Sequence, residues 1–270
     1  MLGIIITLAI LFALYLFFIA PRMCKKADIT PLMGWHYAHR GLFDNATEAP
    51  ENSLPAIRKA VEAGYGIEWD IQLSKDNKVV VFHDSTLKRM CGVDGNVWDY
   101  TLEELKQFTL LDSGAQIPTL EEALEVVGGK VPLIIEYKLD RVQTLVCELA
   151  NDILKDYEGV YCIECFHPLA VMWYRKNRPD IVRGQLSQEH YRFKKHRKNP
   201  AKYLAAWLLT NVAARPDFVA YNHNHYKDLS RRLFRMLGGL SVAWTIRSVE
   251  RYEEMKDEFD LFIFDSCRLE

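Results

Sequence analysis

Residues 66–84 read Gly-Ile-Glu-Trp-Asp-Ile-Gln-Leu-Ser-Lys-Asp-Asn-Lys-Val-Val-Val-Phe-His-Asp, and the fold turns on how this stretch divides. Gly66–Leu73 and Lys78–Phe82 both have strand character, but only the turn around Lys75-Asp76-Asn77 joins them. A parallel crossover needs far more chain than that, so the pair is read as an antiparallel hairpin. Other apolar runs lie at Trp35–His39, Pro132–Lys138, Val160–Phe166, Ile181–Gln185, Asp217–Tyr221, Ser241–Ile246 and Asp260–Phe264. With the hairpin arm set aside, eight strands remain, and helical patterns alternate with them. Ser53 is placed to cap a helix in which Leu54, Ile57 and Val61 share a face, stopped by Gly64. Thr101 with Glu104, and Thr119 with Glu122, each match a capping box, and the second of these helices ends at Gly128-Gly129. The alternation predicts an α/β fold: a (β/α)8 TIM barrel over residues 34–270, with an arm at about residues 74–118 inserted after barrel strand two.

Composition agrees with a large packed domain. Of 270 residues, 49% are hydrophobic and 26% charged, which excludes wholesale disorder. A net charge of -2 gives no general attraction to nucleic acid, and none is expected as a partner. Six scattered cysteines are too few for a disulfide scaffold and suit free thiols in a reducing compartment. Oligomeric state is left open.

The N-terminus differs from the rest. Residues 2–20 are an almost unbroken apolar run, long enough as a helix to cross a hydrocarbon core of roughly 30 Å. Pro21 ends it, and Arg22, Lys25 and Lys26 follow within a basic juxtamembrane linker over residues 21–33. No Lys or Arg precedes the run, and Phe18-Ile19-Ala20 fits a cleavage site poorly, which argues against a signal peptide. A buried core helix would need apolar cover on every face. The reading is a single-pass anchor in the cell membrane, with the following domain cytoplasmic by the positive-inside rule.

Polar residues collect at strand ends. His39-Arg40-Gly41 closes the first strand, Glu68-Trp69-Asp70 lies in the second, Glu136-Tyr137-Lys138 ends the strand after the arm, and His83-Asp84 ends the hairpin. Residues two apart in a strand share a face, so Glu68 projects with Asp70 and Glu136 with Lys138. Three carboxylates around one point in low dielectric call for a hard divalent cation. With Arg40 and Lys138 that cation makes an anion site, most simply for phosphate. His39 and His83 supply a base for a nucleophile and an acid for a leaving group.

These motifs resemble those of the glycerophosphodiester phosphodiesterases, and a membrane-tethered bacterial branch in particular. The resemblance covers about residues 35–267 and adds Pro50-Glu51-Asn52-Ser53, Cys91-Gly92-Val93-Asp94-Gly95, Pro118-Thr119-Leu120-Glu121-Glu122, Glu164-Cys165-Phe166 and Trp244-Thr245 to the string above. It implies a (β/α)8 barrel with a family insertion, one Mg2+ or Ca2+ on Glu68, Asp70 and Glu136, and an acid–base pair of His39 and His83. Arg40 and Lys138 would hold the phosphate. The implied reaction is metal-dependent hydrolysis of a glycerophosphodiester to an alcohol and glycerol 3-phosphate, directly or through a cyclic phosphate, with a lysophospholipid as the other substrate class. Two alternatives are a related barrel phospholipase of D or C type and a non-catalytic membrane-bound phosphate binder.

Three departures from the family pattern stand out: Cys165 in place of serine, Arg247 in place of asparagine, and a longer loop over residues 42–49. None of them is expected to reach the metal or histidine positions. Cys162 and Cys165 imitate half a zinc site, but a strand turns them to opposite faces. His223-Asn224-His225 reads as a loop at the rim, and Glu51 and Asn52 as support at a helix entrance. Arg192, Lys194, Lys195, His196, Arg197 and Lys198 run into Tyr203, Leu204, Trp207, Leu208 and Leu209, a pattern suited to an anionic membrane surface. With the barrel inside the cell, an impermeant thiol reagent applied to intact cells leaves Cys91 and Cys267 unmodified; labelling of either before lysis overturns that topology.

Overall fold

A computed structural model describes residues 1–139, 143–188 and 200–269. The basic cluster at residues 192–198 lies outside the described residues. Eight parallel strands close into a barrel: β1 (His36–His39), β2 (Gly66–Leu73), β4 (Leu133–Tyr137), β5 (Tyr161–Cys165), β6 (Arg183–Ser187), β7 (Phe218–Asn222), β8 (Leu240–Ile246) and β9 (Leu261–Phe264). Strand β1 pairs with both β2 and β9, which closes the ring. Strand β3 (Val79–Val81) lies antiparallel on β2, with Ile71 opposite Val81, so the hairpin reading holds.

Several helices begin where a side-chain oxygen satisfies a free N–H group. Ser53 accepts from Ala56 N to start α2 (Leu54–Glu62). The inserted arm carries α3 (Lys88–Cys91) and α4 (Leu102–Leu105), and Thr101 and Glu104 form the capping box of α4. Thr119 and Glu122 do the same for α5 (Leu120–Val127), which Gly128 ends in the left-handed conformation. Helices α6 (Leu145–Leu154), α7 (Pro168–Asn177), α8 (Pro200–Ala206), α9 (Asn211–Ala214), α10 (Leu229–Met236) and α11 (Val249–Met255) complete the outer ring.

Side chains alternate across the barrel wall, as a period of two requires. Ile67, Trp69 and Ile71 of β2 face the helices, as do Leu133, Ile135 and Tyr137 of β4. Tyr37, Ile134, Cys162, Phe218, Val242 and Ile263 fill the lower interior, and Leu32 packs with them from the linker, its carbonyl accepting from the Tyr37 hydroxyl at 2.7 Å. Cys162 and Cys165 do point to opposite sides of the wall, and all six cysteines are free. The arm has its own core of Val80, Phe82, Leu87, Met90, Val97, Leu105, Leu110 and Ile117. Strand β6 begins two residues later than its apolar start suggested, because Ile181 N is still tied to Arg178 O in the turn after α7.

Helix α1 (Leu2–Ile19) is long and apolar enough to cross a membrane, and its residues up to Leu14 are exposed. Its last residues are different, since Ile19 is fully buried against the barrel.

The turn after β1 admits no side chain at Gly41. Its φ is +84°, and an added Cβ would lie 2.8 Å from the Ala56 carbonyl carbon at the start of α2. Gly41→Ala combines a left-handed strain with a backbone overlap, together costing roughly 2–3 kcal/mol. The expected outcome is a melting temperature lower by about 4 °C or more in calorimetry; an unchanged transition would contradict this packing.

Candidate active site

Register brings the polar motifs together inside the upper barrel. His39 stands opposite Glu68, Asp70 opposite Glu136, and Glu136 opposite Glu164. Glu68, Asp70 and Glu136 are buried, and each offers a carboxylate oxygen within 4.8 Å of the others. The Lys138 ammonium bridges two of them, 2.8 Å from Asp70 Oδ1 and 2.6 Å from Glu136 Oε1. Arg40 enters from the other side. Its own φ of +58° turns the chain so that Nη1 meets Glu51 Oε1 at 2.5 Å and Nε meets Asp70 Oδ2 at 3.3 Å. Asn52 Nδ2 also donates to Asp70 Oδ2, at 2.9 Å.

The protonation of this cluster follows from crowding. Burial pushes the Glu68 carboxyl well above its usual range, with Asp70, Glu136 and Glu164 adding to the effect. Burial likewise raises Glu136, despite Lys138, and raises Glu164, which has Glu136 for a neighbour. Burial opposes the charge on Asp70 too, but Lys138, His83 and Arg40 outweigh it and hold that carboxyl well below the ordinary value. Two fixed cations therefore do not balance the carboxyls gathered here. The donors are all carboxylate oxygens, a set suited to a hard divalent cation such as Mg2+ or Ca2+. The cluster fits such an ion.

Each histidine is held by its own acid. His39 Nδ1 lies 3.0 Å from Asp265 Oδ2, and its Nε2 turns inward, 3.8 Å from Glu68 Oε2. Burial lowers the His39 ring from its usual value, and the hydrogen bond to Asp265 partly offsets this. Asp265 is held at about 2, where burial is outweighed by hydrogen bonds from His39 and Arg247. Across the mouth, His83 Nδ1 lies 2.6 Å from Asp84 Oδ1. Asp84 in turn accepts from Arg89 Nε at 2.6 Å, and Arg89 also spans to Glu51, 2.7 Å from Oε1. Glu51 falls to about 2, because hydrogen bonding to Arg89 and the charge of Arg40 overcome its burial.

All seven residues singled out in the sequence thus meet at one mouth: His39, Arg40, Glu68, Asp70, His83, Glu136 and Lys138. Other contributors were not singled out. Asp265 and Arg89 are the chief ones, and Gln72 is a third, donating to Phe82 O at 2.8 Å and Asp84 O at 2.9 Å on either side of His83. Their signal was available in part, since Gln72 shares the inward face of β2 with Glu68 and Asp70. Arg247 stops one residue short of His39, its Nε donating to Asp265 Oδ1 at 2.9 Å. Cys165 stays outside the mouth, with Sγ between Tyr137 O and His167 N. His223 Nδ1 accepts from Arg251 Nε at 2.8 Å, a rim contact.

A model of the glycerophosphoryl diester phosphodiesterase family matches residues 39–261. The chain belongs to that family. A glycerophosphodiester phosphodiesterase from Caldanaerobacter subterraneus is 43% identical over 56% of this chain. One from Bacillus altitudinis is 40% identical over 38% of it. These alignments span 65% and 44% of the two relatives' lengths. Among solved structures, a glycerophosphodiester phosphodiesterase from Thermotoga maritima aligns with a TM-score of 0.65 at 28% identity, over 85% of this chain and 93% of that one. Within the family motif the His39–Asp265 bond makes a direct prediction. A carboxylate at Nδ1 favours the protonated ring, so Asp265→Asn moves the His39 titration to lower pH in NMR spectra; a shift to higher pH would mean that the contact does not form.

Proposed function

We propose that this protein hydrolyses glycerophosphodiesters to an alcohol and glycerol 3-phosphate. The observation that carries this reading is the pair of imidazoles, each oriented by a separate carboxylate, on either side of one carboxylate cluster. Glu68, Asp70 and Glu136 would hold one Mg2+ or Ca2+. Bound there, the ion would supply charge to polarise a phosphoryl oxygen.

The chain's own residues account for the rest. Lys138 and Arg40 present cations at the level of the cluster, where a phosphodiester anion would enter, and both are already positioned by Asp70. His39 is kept in a tautomer with Nδ1–H on Asp265, which leaves Nε2 to take a proton. Burial favours its neutral form, so it is assigned the base. His83 is oriented in the same manner by Asp84 and hands a proton to the departing alkoxide. The Arg89 clamp on Asp84 and Glu51 ties this acid to the Arg40 side of the site. The whole would sit on a single-pass anchor formed by residues 2–20, joined by the linker at 21–33 to a cytoplasmic barrel.

The reading separates two kinds of variant. Glu68→Gln, Asp70→Asn and Glu136→Gln weaken Mg2+ or Ca2+ binding in calorimetry, and a chelator abolishes turnover of glycerophosphocholine by the parent. His39→Ala and His83→Ala leave that ion binding nearly unchanged while cutting turnover roughly 10²–10⁴-fold, the usual worth of one general acid or base. Near-parental rates in both histidine variants would refute the proposal.

A further inference from the structure

The last residues of α1 do not hang free but are bolted to the barrel. Arg215 Nη1 donates to Phe17 O at 2.8 Å and to Ala20 O at 3.1 Å, and Asn211 Nδ2 donates to Ile19 O at 3.2 Å. These bonds satisfy carbonyls that the end of a helix leaves open, and the guanidinium suits the negative end of the helix dipole. The same guanidinium lies 4.7 Å from the centre of the Phe17 ring. Just beyond, Arg22 pairs with Asp217 at 3.5 Å and donates to Pro179 O at 2.6 Å.

These contacts give α1 a direction relative to the barrel. Asp217 immediately precedes β7 and Pro179 precedes β6, so Arg22 sits at the face where strands begin. Tyr15, one turn before the end of α1, reaches Trp207 O with its hydroxyl at 3.5 Å and lies beside Ser230 and Asp228. Asp228 accepts from the hydroxyl of Tyr221, close to the C-terminal end of β7, and Ser230 stands in the first turn of α10. Tyr15 is therefore level with the face where strands end. Followed from Arg22 back towards Met1, the chain climbs the barrel wall from the closed face to the catalytic mouth. Residues 2–14 then continue past it for about 20 Å at 1.5 Å per residue.

That length alone is short of a hydrocarbon core of roughly 30 Å, so the bilayer must extend down to the rim. The rim beside α1 is made for it. Leu204, Trp207 and Leu229 are each at least 44% exposed there, and Tyr15 packs edge-on against Trp207, 6.2 Å between ring centres. Aromatic rings at this level suit the interface between headgroups and water.

We propose that the docked anchor holds the barrel with its catalytic mouth against the bilayer surface, so that the site takes glycerophosphodiesters bearing an acyl chain directly from the membrane. This rests on the hydrolase reading above for the chemistry, and on α1 alone for the orientation. The two are tested apart. The full chain is reconstituted in phosphatidylcholine–phosphatidylglycerol vesicles with Cys24, Cys91 and Cys267 replaced by serine. A spin label is placed by Asn224→Cys after β7 or by Glu158→Cys before β5, both exposed positions at opposite ends of the barrel. A nickel chelate on lipid headgroups should relax the label at 224 strongly and that at 158 weakly; equal relaxation, or the reverse order, overturns the orientation.

For substrate access, the parent is compared with Tyr15→Ala/Arg215→Ala, which loosens the dock and leaves the site alone. Soluble glycerophosphocholine should be hydrolysed within twofold of the parental rate. Hydrolysis of lysophosphatidylcholine in the same vesicles should fall roughly tenfold, since the tether no longer presents the mouth to its substrate at high effective concentration. An unchanged ratio between the two substrates overturns the access claim. A variant that loses both activities has failed to fold, and the relaxation measured on the parental dock then decides. If the parent cleaves neither substrate, the hydrolase reading fails while the labels still report orientation.

Discussion

Four carboxyl groups crowded into one barrel interior are the constraint around which this molecule is arranged. Asp70, Glu136 and Glu164 come from three adjacent parallel strands in register, and Glu68 lies two residues before Asp70 on the same face of β2, so their closeness is a property of the sheet itself. Like charges in that space repel, and burial removes the water that would otherwise screen them. The chain answers with Lys138 between Asp70 and Glu136, and with Arg40 turned inward by a left-handed backbone conformation. A tight turn needs Gly41 next to Arg40, and Gly41 in turn lets α2 approach. What remains of the excess negative charge is what makes the cluster fit for a divalent cation.

Around this centre lies a ring of paired acids and bases. Glu51 serves both Arg40 and Arg89, Arg89 serves both Glu51 and Asp84, and Asp84 orients His83. On the opposite side Asp265 is shared by His39 and Arg247. Such shared pairs position side chains better than isolated ones, because each group is fixed by two partners and has little freedom left to lose. The inserted arm contributes both His83 and Arg89, so its separate core supports that side of the site.

The barrel was legible in the sequence because its strands are apolar, evenly spaced and separated by helices with side-chain caps at Ser53, Thr101 and Thr119. The short Lys75-Asp76-Asn77 turn was enough to remove the ninth strand from the count. Strand β6 was the hardest to place, since Gln185 and Ser187 are polar yet fully buried and break the apolar pattern. The seven residues at the mouth were visible through spacing of two along strands and through family motifs. Asp265 and Arg89 were not, because each acts across the fold on a partner far away in sequence, and periodicity reports only local faces. Arg247 was noticed as a departure, but its contact with Asp265 could not be read without the tertiary arrangement.

The bond between His39 and Asp265 joins residues 226 positions apart. His39 lies on the first barrel strand, and Asp265 directly follows the last, which pairs with the first to close the ring. During synthesis the first strand and its histidine emerge long before the acid that holds that ring. A nascent chain that has reached β5 carries the carboxylate cluster with Arg40 and Lys138, but its His39 ring still lacks the carboxylate that orients it. The geometry around His39 is therefore gated by ring closure, since its two halves meet only when the last barrel strand docks on the first.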